Sequence, residues 1–220
     1  AKRGEACYCH IPMDGAGGRW ELIVMDAYEI ACIGYCEGHH VRQKAEAFLT
    51  SRNPGVLKPG VDWFHELPVE LHRYVPFNGA VSPAQLEWLN GRLAECMDAR
   101  RSVIVLTHIP LLEASTTPKT VLWNCDEVLN VLRGADGRCI VGVIAGHDHD
   151  GGYAKDPVSG IQHVTCLSPL VCAPDSGRTG AATVECYDGH AVLRGHGVFC
   201  VDRNEGSTFT EIPLARSDPR

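Results

Sequence analysis

The chain has 220 residues, of which 45% are hydrophobic, and it carries a formal net charge of -7 at neutral pH. Such a chain can bury a substantial core, so we expect a folded globular protein rather than a disordered one. The acidic balance argues against binding of nucleic acid through a broad basic surface, and no apolar stretch approaches the roughly 20 residues that a membrane span requires.

The first predicted strand is RWELIVMDAY at residues 19–28, a short apolar run rich in β-forming residues that follows a glycine-rich turn. The segment HHVRQKAEAFLTSRNPG at 39–55 predicts a helix that stops at Asn53 and Pro54. Residues 55–81 contain several prolines and predict irregular structure, such as a lid or a connecting loop.

The clearest helix start lies in SPAQLEWLNGRLAECMDAR, residues 82–100. Ser82 is a typical N-cap, Pro83 suits the first turn, and Gln85 would complete a capping box. Leucines recur on one face of this helix, so we expect it to pack on a sheet. The apolar run SVIVLTH at 102–108 predicts the next buried strand.

A second helix and its following strand are predicted by NCDEVLNVLRGADG at 124–137, ending at Gly134, and by CIVGVIAGH at 139–147. The pattern then changes from alternating strands and helices to strands joined by tight turns. We predict these later strands in IQHVTC (161–166), AATVECYDG (181–189) and HAVLRGHGV (190–198), with a hairpin turn at Asp188 and Gly189.

The predicted organisation is therefore one α/β domain over residues 1–203, followed by a polar C-terminal tail over 204–220. Eleven cysteines are scattered through the chain. This odd and unpatterned set is typical of reduced thiols rather than of a disulfide framework. We expect a cytoplasmic location or another reducing compartment.

Three histidines follow two of the predicted buried strands. VIVLTH ends at His108, and VGVIAGHDH ends at His147 and His149. Ligands of α/β sheets gather at the carboxyl ends of strands, so these side chains are expected to converge. In an extended chain His147 and His149 would point to the same side while Asp148 turns away. Their separation suits two neighbouring metal ions, the usual arrangement for displacement at phosphorus.

Glycines surround the paired histidines. Gly146 would allow the backbone to bend, while Gly151 and Gly152 would let an anionic ligand approach the main chain. A single histidine at a strand end is more often a hydrogen-bonded residue than a ligand, but two such strands together favour a metal site. His163 lies in a strand beyond this site and could support it indirectly.

In these histidine segments the chain resembles the calcineurin-like metallophosphoesterases, whose last motifs are a strand-end histidine and a Gly-His-x-His sequence. Within them it resembles the manganese-dependent ADP-ribose/CDP-alcohol diphosphatases, in segments spread over residues 7–203 and in the family's order. These segments are LIVMDAY, PFNGAVSPAQLEWLN, VIVLTHIPL, VLWN, AGHDHDGGY, DPVSGIQHV, APDSG and GHGVFCVDR.

The resemblance implies a four-layer αββα sandwich with mixed β-sheets around two divalent metal ions. Manganese is the first choice for these ions, with iron, zinc or magnesium as alternatives. The implied substrates are nucleotide-diphosphate compounds such as ADP-ribose and CDP-choline, cleaved at the phosphoanhydride bond. His108 and His147 would ligate one ion and His149 the other, and these three histidines would form the catalytic centre. Candidate substrate contacts are Asn124, Asp150, Gly151, Gly152 and Asp175, with helix capping and turn formation as the structural alternatives for Asn124 and Asp175.

The family's opening motifs, Asp-x-His, Gly-Asp-x-x-Asp and Gly-Asn-His, are absent from these residues. DWFH at 62–65 has the wrong spacing, and FNGA at 77–80 lacks the histidine. We therefore expect the C-terminal part of the sandwich, because a manganese centre also needs carboxylate oxygen. On this expectation the 220 residues do not catalyse alone, and an N-terminal half or a partner protein covers the open sheet and supplies the missing ligands.

Two alternatives remain open at this stage. The chain could be a non-catalytic scaffold subunit of a larger assembly, although such a protein has no chemical reason to keep three ligands. It could also carry a structural zinc module built from Cys7, Cys9 and His10, which would need a fourth ligand.

Overall fold

The computed structural model describes residues 8–15, 18–134 and 139–216. Its helices are α1 (His40–Arg52), α2 (Pro83–Asp98) and α3 (Cys125–Gly134), with short 3-10 turns at Val69–Leu71, Glu113–Ser115, Pro118–Thr120 and Pro169–Val171. None of the helices in these residues is long and apolar enough to cross a lipid bilayer. The strands are β1 (Cys9–Gly15), β2 (Gly18–Val24), β3 (Ile30–Ala31), β4 (Gly79–Ala80), β5 (Ser102–Leu106), β6 (Ile140–Ala145), β7 (Gly152–Lys155), β8 (Gln162–Thr165), β9 (Ala182–Cys186), β10 (His190–Gly195), β11 (Cys200–Val201), β12 (Thr208–Phe209) and β13 (Glu211–Ala215).

The main sheet has six strands in the order β1-β2-β5-β6-β8-β7. Strands β2, β5, β6 and β8 run parallel, while β1 and β7 pair antiparallel at its two edges. The prediction of an α/β fold with a mixed sheet is therefore confirmed. Because the four parallel strands share one direction, their carboxyl ends meet at a single edge of the sheet. We call this the carboxyl edge.

One face of the main sheet is covered by α2 and α3. Leu89 and Leu93 of α2 are buried together with Val128 and Leu132 of α3, in the same core cluster as Val105 of β5. The two residues named in each helix are four positions apart, which places them on one side of that helix. The predicted packing of the helix at 82–100 on a sheet is confirmed.

The opposite face of the main sheet packs against a second, three-stranded sheet in the order β13-β10-β9. Trp20 and Ile104 of the main sheet are buried with Leu193 and Leu214 of the second sheet. The Trp20 indole also donates to the main-chain carbonyl oxygen of Tyr187, at 3.0 Å. The hairpin predicted at Asp188 and Gly189 is confirmed, since β9 and β10 pair antiparallel on either side of it.

The outer face of the second sheet carries charged side chains. Arg194 forms ion pairs with Glu185 and Glu211 on the two flanking strands, an arrangement typical of a face in water. Of the four layers expected, the described residues thus form a helix layer and two sheet layers. Coverage of an open sheet by an N-terminal half or a partner protein stays a prediction.

The start of α2 differs in detail from the predicted capping box. Ser82 accepts a hydrogen bond from the Gln85 main-chain nitrogen at 3.1 Å, as an N-cap should. The reciprocal partner, however, is Glu29, whose carboxylate accepts from the Ser82 main-chain nitrogen at 2.8 Å. The Gln85 amide bonds instead to Glu29 and to the backbone of Asp26. The cap therefore fastens α2 to the chain that follows β2.

The segment 204–220, predicted as a polar tail, contains part of the folded structure. Strand β13 pairs with β10 over its whole length, and Ile212 and Leu214 are buried in the core between the two sheets. Ile212 and Leu214 face inward, while the other three residues of this strand are exposed. The prediction was wrong here because the strand is short and contains Pro213, a residue that argues against a strand, and polar residues flank it on both sides.

His163 is buried in β8 with neither ring nitrogen hydrogen-bonded within the described residues. It pairs across the sheet with Val143 and Ala154, which lie on the helix side of the main sheet. Burial lowers the pKa of His163 to about 4. The imidazole is therefore neutral in the folded protein at pH 7.

We expect His163 to make stability depend on pH. Between the ordinary histidine pKa near 6.5 and the folded value of about 4, the unfolded chain binds one more proton than the folded chain. The free energy of unfolding should therefore fall by roughly 3 kcal/mol as the pH drops through that window. Denaturant unfolding at pH 7 and pH 4.5, compared between the unsubstituted protein and His163→Leu, measures this. An equal loss of stability in both proteins would contradict the assignment.

Candidate functional site

His108 and His147 come together at the carboxyl edge of the main sheet. His108 follows β5 and His147 follows β6, its parallel neighbour. The main-chain nitrogen of Gly146 donates to the carbonyl oxygen of His108 at 3.0 Å, which joins the two strand extensions. The centroids of the two imidazole rings are 5.1 Å apart. Adjacent parallel strands therefore deliver the two predicted ligands to one place.

Aromatic side chains surround this histidine pair. The Tyr28 ring lies 5.7 Å from His108 and 6.4 Å from His147, and the Phe77 ring lies 5.7 Å from His147, measured between centroids. Burial, with a smaller contribution from His108, lowers the pKa of His147 to about 4. Partial loss of hydration and the nearby His149 hold the pKa of His108 below its ordinary value. Both rings are therefore neutral at pH 7, the form in which imidazole binds metals.

Asn78 sets the orientation of the His147 ring. It is fully buried, and its side-chain nitrogen donates to the carbonyl oxygens of Arg73 and Lys119, both at 2.8 Å. Its oxygen must then be the atom that lies 2.7 Å from Nε2 of His147. Nε2 therefore carries the proton, and Nδ1 keeps its lone pair, with the Tyr28 hydroxyl 3.5 Å away. Such a hydrogen bond to the outer nitrogen is typical of a metal-binding histidine.

His149 is placed differently from the prediction. The chain leaves the strand at Ala145, and His147 has a positive φ of 69°, so the segment is not extended and the argument from strand alternation was wrong. His149 is exposed, and its charge would lower the pKa of both His108 and His147. The three predicted ligands thus lie within electrostatic reach of one another, while two of them pack directly together.

The donor set fits part of a metal centre. Among the residues that the structure describes, no three His, Cys, Asp or Glu side chains are arranged so that they could hold an ion together. Two neutral imidazoles, one with a fixed lone pair, are suitable nitrogen ligands for Mn²⁺, Fe²⁺ or Zn²⁺. Carboxylate oxygen, which manganese prefers, is the component that the described residues do not bring to this pair.

Asn124, one of the predicted substrate contacts, is occupied by structural hydrogen bonds. Its side-chain oxygen accepts from the Val81 main-chain nitrogen at 3.1 Å, and its nitrogen donates to the Val81 carbonyl oxygen at 3.0 Å. The same nitrogen also donates to Glu127 in the first turn of α3. These bonds support the structural alternative for Asn124, which ties β4 to the start of α3.

Gly151 and Gly152 pack against protein atoms. A Cβ atom on Gly152 would overlap the carbonyl group of Ser115, and one on Gly151 would lie 3.0 Å from the carbonyl oxygen of Thr165. Gly151 also has a positive φ of 68°. Close packing and turn geometry therefore account for both glycines structurally, and contact with an anionic ligand stays a prediction. The adjacent Asp150 is exposed beside them.

Asp175 lies in the loop that follows β8. It is exposed and has a positive φ of 64°, as expected for a turn residue. The start of this loop is fastened to the site, because the Ser168 main-chain nitrogen donates to the carbonyl oxygen of His149 at 3.0 Å. A substrate contact by Asp175 remains a prediction.

The zinc module has little support from the described residues. Cys7 lies outside them, and Nδ1 of His10 is 3.0 Å from the buried carboxylate of Glu21. All ten cysteines that the structure describes are free. Burial raises the pKa of the Cys125 and Cys200 thiols to about 12, so these two are protonated and are poor metal ligands.

Three residues of the site were missed or misjudged from the sequence. Tyr28 and Asn78 were not proposed, and Asp148 was expected to turn away although its carboxylate is buried and fully bonded. Asn78 belongs to FNGA, which was set aside for lacking a histidine. An asparagine directly after Phe77 was the only sequence signal for Asn78. The residue that it bonds to, His147, is 69 residues away in the chain.

Sequence comparison finds several relatives, all named manganese-dependent ADP-ribose/CDP-alcohol diphosphatase. The Oryza sativa subsp. japonica protein is 33% identical over 176 residues, which cover 80% of this chain and 52% of the relative. The Xenopus tropicalis protein is 31% identical over 82% of this chain and 50% of the relative, and the Homo sapiens protein 30% identical over 81% and 49%. The chain thus spans about half the length of the curated relatives it matches. No family model matches it.

Structure comparison finds a similar fold in a crystal structure of a dimetal phosphatase from Danio rerio. The two align with a TM-score of 0.77 and 26% sequence identity, over 96% of this chain and 61% of the other. The mixed α/β fold described above therefore matches that of a dimetal phosphatase.

Proposed function

Because this chain is a relative of the manganese-dependent ADP-ribose/CDP-alcohol diphosphatases, we propose that it belongs to a metal-dependent hydrolase of nucleotide-diphosphate compounds. The substrates would be compounds such as ADP-ribose and CDP-choline. Water adds to one phosphorus and the phosphoanhydride bond to the other breaks, which yields two phosphate monoesters. The observation that carries the proposal is the His108–His147 pair, 5.1 Å apart at the carboxyl edge.

His108, His147 and His149 are the proposed metal ligands, with His147 binding through Nδ1. Two divalent ions, manganese first, would supply positive charge to the phosphoryl oxygens and acidify the attacking water. The protein's own part is to present neutral imidazoles with fixed directions, which Asn78 does for His147. The Tyr28 and Phe77 rings border the pair on one side, and an apolar border of this kind would strengthen electrostatic interactions there.

The carboxylate ligands are proposed to come from outside the 220 residues, either from an N-terminal half of the same fold or from a partner protein. The support is that no three potential ligand side chains meet in the described residues, while the relatives are about twice as long as the matched region. We also propose a reducing compartment such as the cytoplasm, in keeping with the ten free cysteines.

Nucleotide substrates are also consistent with aromatic side chains beside the histidines. Phe77 is half-buried and lies between His147 and Trp63, whose ring centroid is 5.8 Å from that of Phe77. Aromatic rings at the mouth of a site can stack with a nucleobase. We propose that this surface receives the base while the histidines face the diphosphate.

The test is hydrolysis of ADP-ribose and CDP-choline by the full-length protein with Mn²⁺, followed by chromatography of the products. We expect release of AMP from ADP-ribose and of CMP from CDP-choline, and no turnover after the metal is removed by a chelator. A full-length preparation that binds Mn²⁺ but leaves both compounds intact would refute the diphosphatase assignment and favour the scaffold alternative.

A further inference from the structure

Asp148, between the two histidines of the Gly-His-x-His motif, is the centre of a buried polar network. It is 5% exposed. Its Oδ2 atom accepts hydrogen bonds from the hydroxyls of Thr116 and Thr120, both at 2.9 Å, and from the Thr117 main-chain nitrogen at 3.1 Å. Its Oδ1 atom accepts from Arg203 at 2.6 Å and from the Asp150 main-chain nitrogen at 3.1 Å. The carboxylate therefore joins three segments of the chain.

Arg203 holds the same turn at a second point. Its Nη2 atom donates to Asp148, and its Nε atom donates to the carbonyl oxygen of Gly151 at 2.6 Å. A guanidinium that donates in two directions fixes both of its acceptors, which a single lysine ammonium does less well. Arg203 follows β11, so a segment more than 50 residues further along the chain braces the histidine turn.

The turn needs this support because its backbone is strained. His147 has a φ of 69° although it carries a side chain, and Gly151 has a φ of 68°. A residue other than glycine is unfavourable in the left-handed region and persists there only where its surroundings hold it. Asp148, which accepts five hydrogen bonds, lies between His147 and Gly151 in the chain. These hydrogen bonds are the contacts that can impose this geometry.

We infer that Asp148 and Arg203 are positioning residues that set the directions of His147 and His149 toward the metal. Neither is proposed to touch metal or substrate. The inference rests on the proposed function. It adds Arg203, in the segment after β11, to the residues that determine the geometry of the site.

A second aspartate supplies a matched control. Asp156 is 1% exposed and accepts two hydrogen bonds from Arg133, at 2.9 and 2.8 Å, and one from the Ser159 hydroxyl. It has the same chemistry as Asp148, but it follows the far end of β7, away from the histidines. Loss of either carboxylate should cost stability, while only Asp148 should affect the imidazoles.

The experiment compares Asp148→Asn, Arg203→Met, Arg203→Lys and the double variant Asp148→Asn/Arg203→Met with Asp156→Asn. Mn²⁺ affinity is measured by titration of the free ion, and the imidazole nitrogens are observed by NMR in metal-free protein. We expect the single Asp148→Asn and Arg203→Met changes to weaken Mn²⁺ binding by about tenfold or more and to shift the His147 and His149 signals. The double variant should lose little more than either single one, because the pair acts as a unit. Arg203→Lys should fall between.

Asp156→Asn should change neither Mn²⁺ affinity nor the His147 and His149 signals, although it lowers thermal stability and can shift the signal of His163, on which Asp156 acts. If Asp148→Asn behaves in the same way, Asp148 is purely structural and the inference is overturned. If the unsubstituted full-length protein binds no Mn²⁺, the metal assignment under the proposed function fails. The metal-free imidazole spectra then still decide whether Asp148 and Arg203 position the histidines.

Discussion

Replacing His147 with alanine is expected to reduce the Mn²⁺ affinity of the protein by more than roughly a hundredfold, beyond the range typical of outer partners. Asn78 bonds to Nε2 of His147, so the metal would bind at Nδ1, and the change removes this nitrogen. It also leaves His108 without the imidazole that lies 5.1 Å away. Metal content after dialysis against Mn²⁺, measured by elemental analysis, reports the loss. Stoichiometry equal to that of the unsubstituted protein would exclude His147 as a ligand.

Two further variants separate metal binding from folding. His147→Gly should lose metal equally, yet it should be more stable than His147→Ala by about 1 kcal/mol, because glycine accepts the φ of 69° without strain. His190→Ala changes an exposed histidine in the β9–β10 hairpin and should leave metal content unchanged. Reduced metal content in His190→Ala would indicate nonspecific loss.

Replacing Gly152 with alanine is expected to destabilise the fold by roughly 1–3 kcal/mol, at the upper end of that range, through overpacking. The added Cβ would overlap the Ser115 carbonyl group, which is backbone and cannot rotate away. Thermal or denaturant unfolding in the absence of metal measures the effect. Unchanged stability together with weaker substrate binding would restore the earlier interpretation of Gly152 as an approach point for an anion.

Gly91 offers the matched substitution. It lies inside α2 and is exposed, and a Cβ atom there would meet nothing within 4 Å. Gly91→Ala should therefore stabilise the protein by about 0.5–1 kcal/mol, since alanine restricts the unfolded chain and favours helix. Opposite signs for the two Gly→Ala changes would show that local packing, and not loss of glycine as such, determines the response.

His108 and His147, which follow β5 and β6, show what a local sequence pattern can predict. An apolar run predicts a buried strand, and parallel neighbours end at the same edge, so the meeting of His108 and His147 follows from short segments read separately. The position of His149 does not follow from such a pattern. The strand rule assumes an extended backbone, and the chain leaves that conformation at His147.

Gln85 and Asp148 show the same limit for hydrogen bonds. The sequence spacing pairs Gln85 with Ser82, but the stronger acceptor Glu29 occupies that place from 53 residues away. Asp148 was expected to turn away from the two histidines, because successive residues of an extended chain point to opposite sides. It is buried because Thr116, Thr120 and Arg203 supply donors from both sides.

Residue patterns were enough to predict the three helices, six of the thirteen strands that the structure describes and the meeting of two of the three histidines at the site. Each depends on periodicity or capping within one short segment, where the backbone geometry is nearly constant. Only the three-dimensional fold gave the hydrogen-bond partners of Asn78 and Asp148 and the tautomer of His147. It also showed that Arg203 supports the site and that β13 belongs to the second sheet. These features depend on contacts between segments far apart in the chain, and the free energy of burying a polar or alternating residue is set by what those distant segments provide.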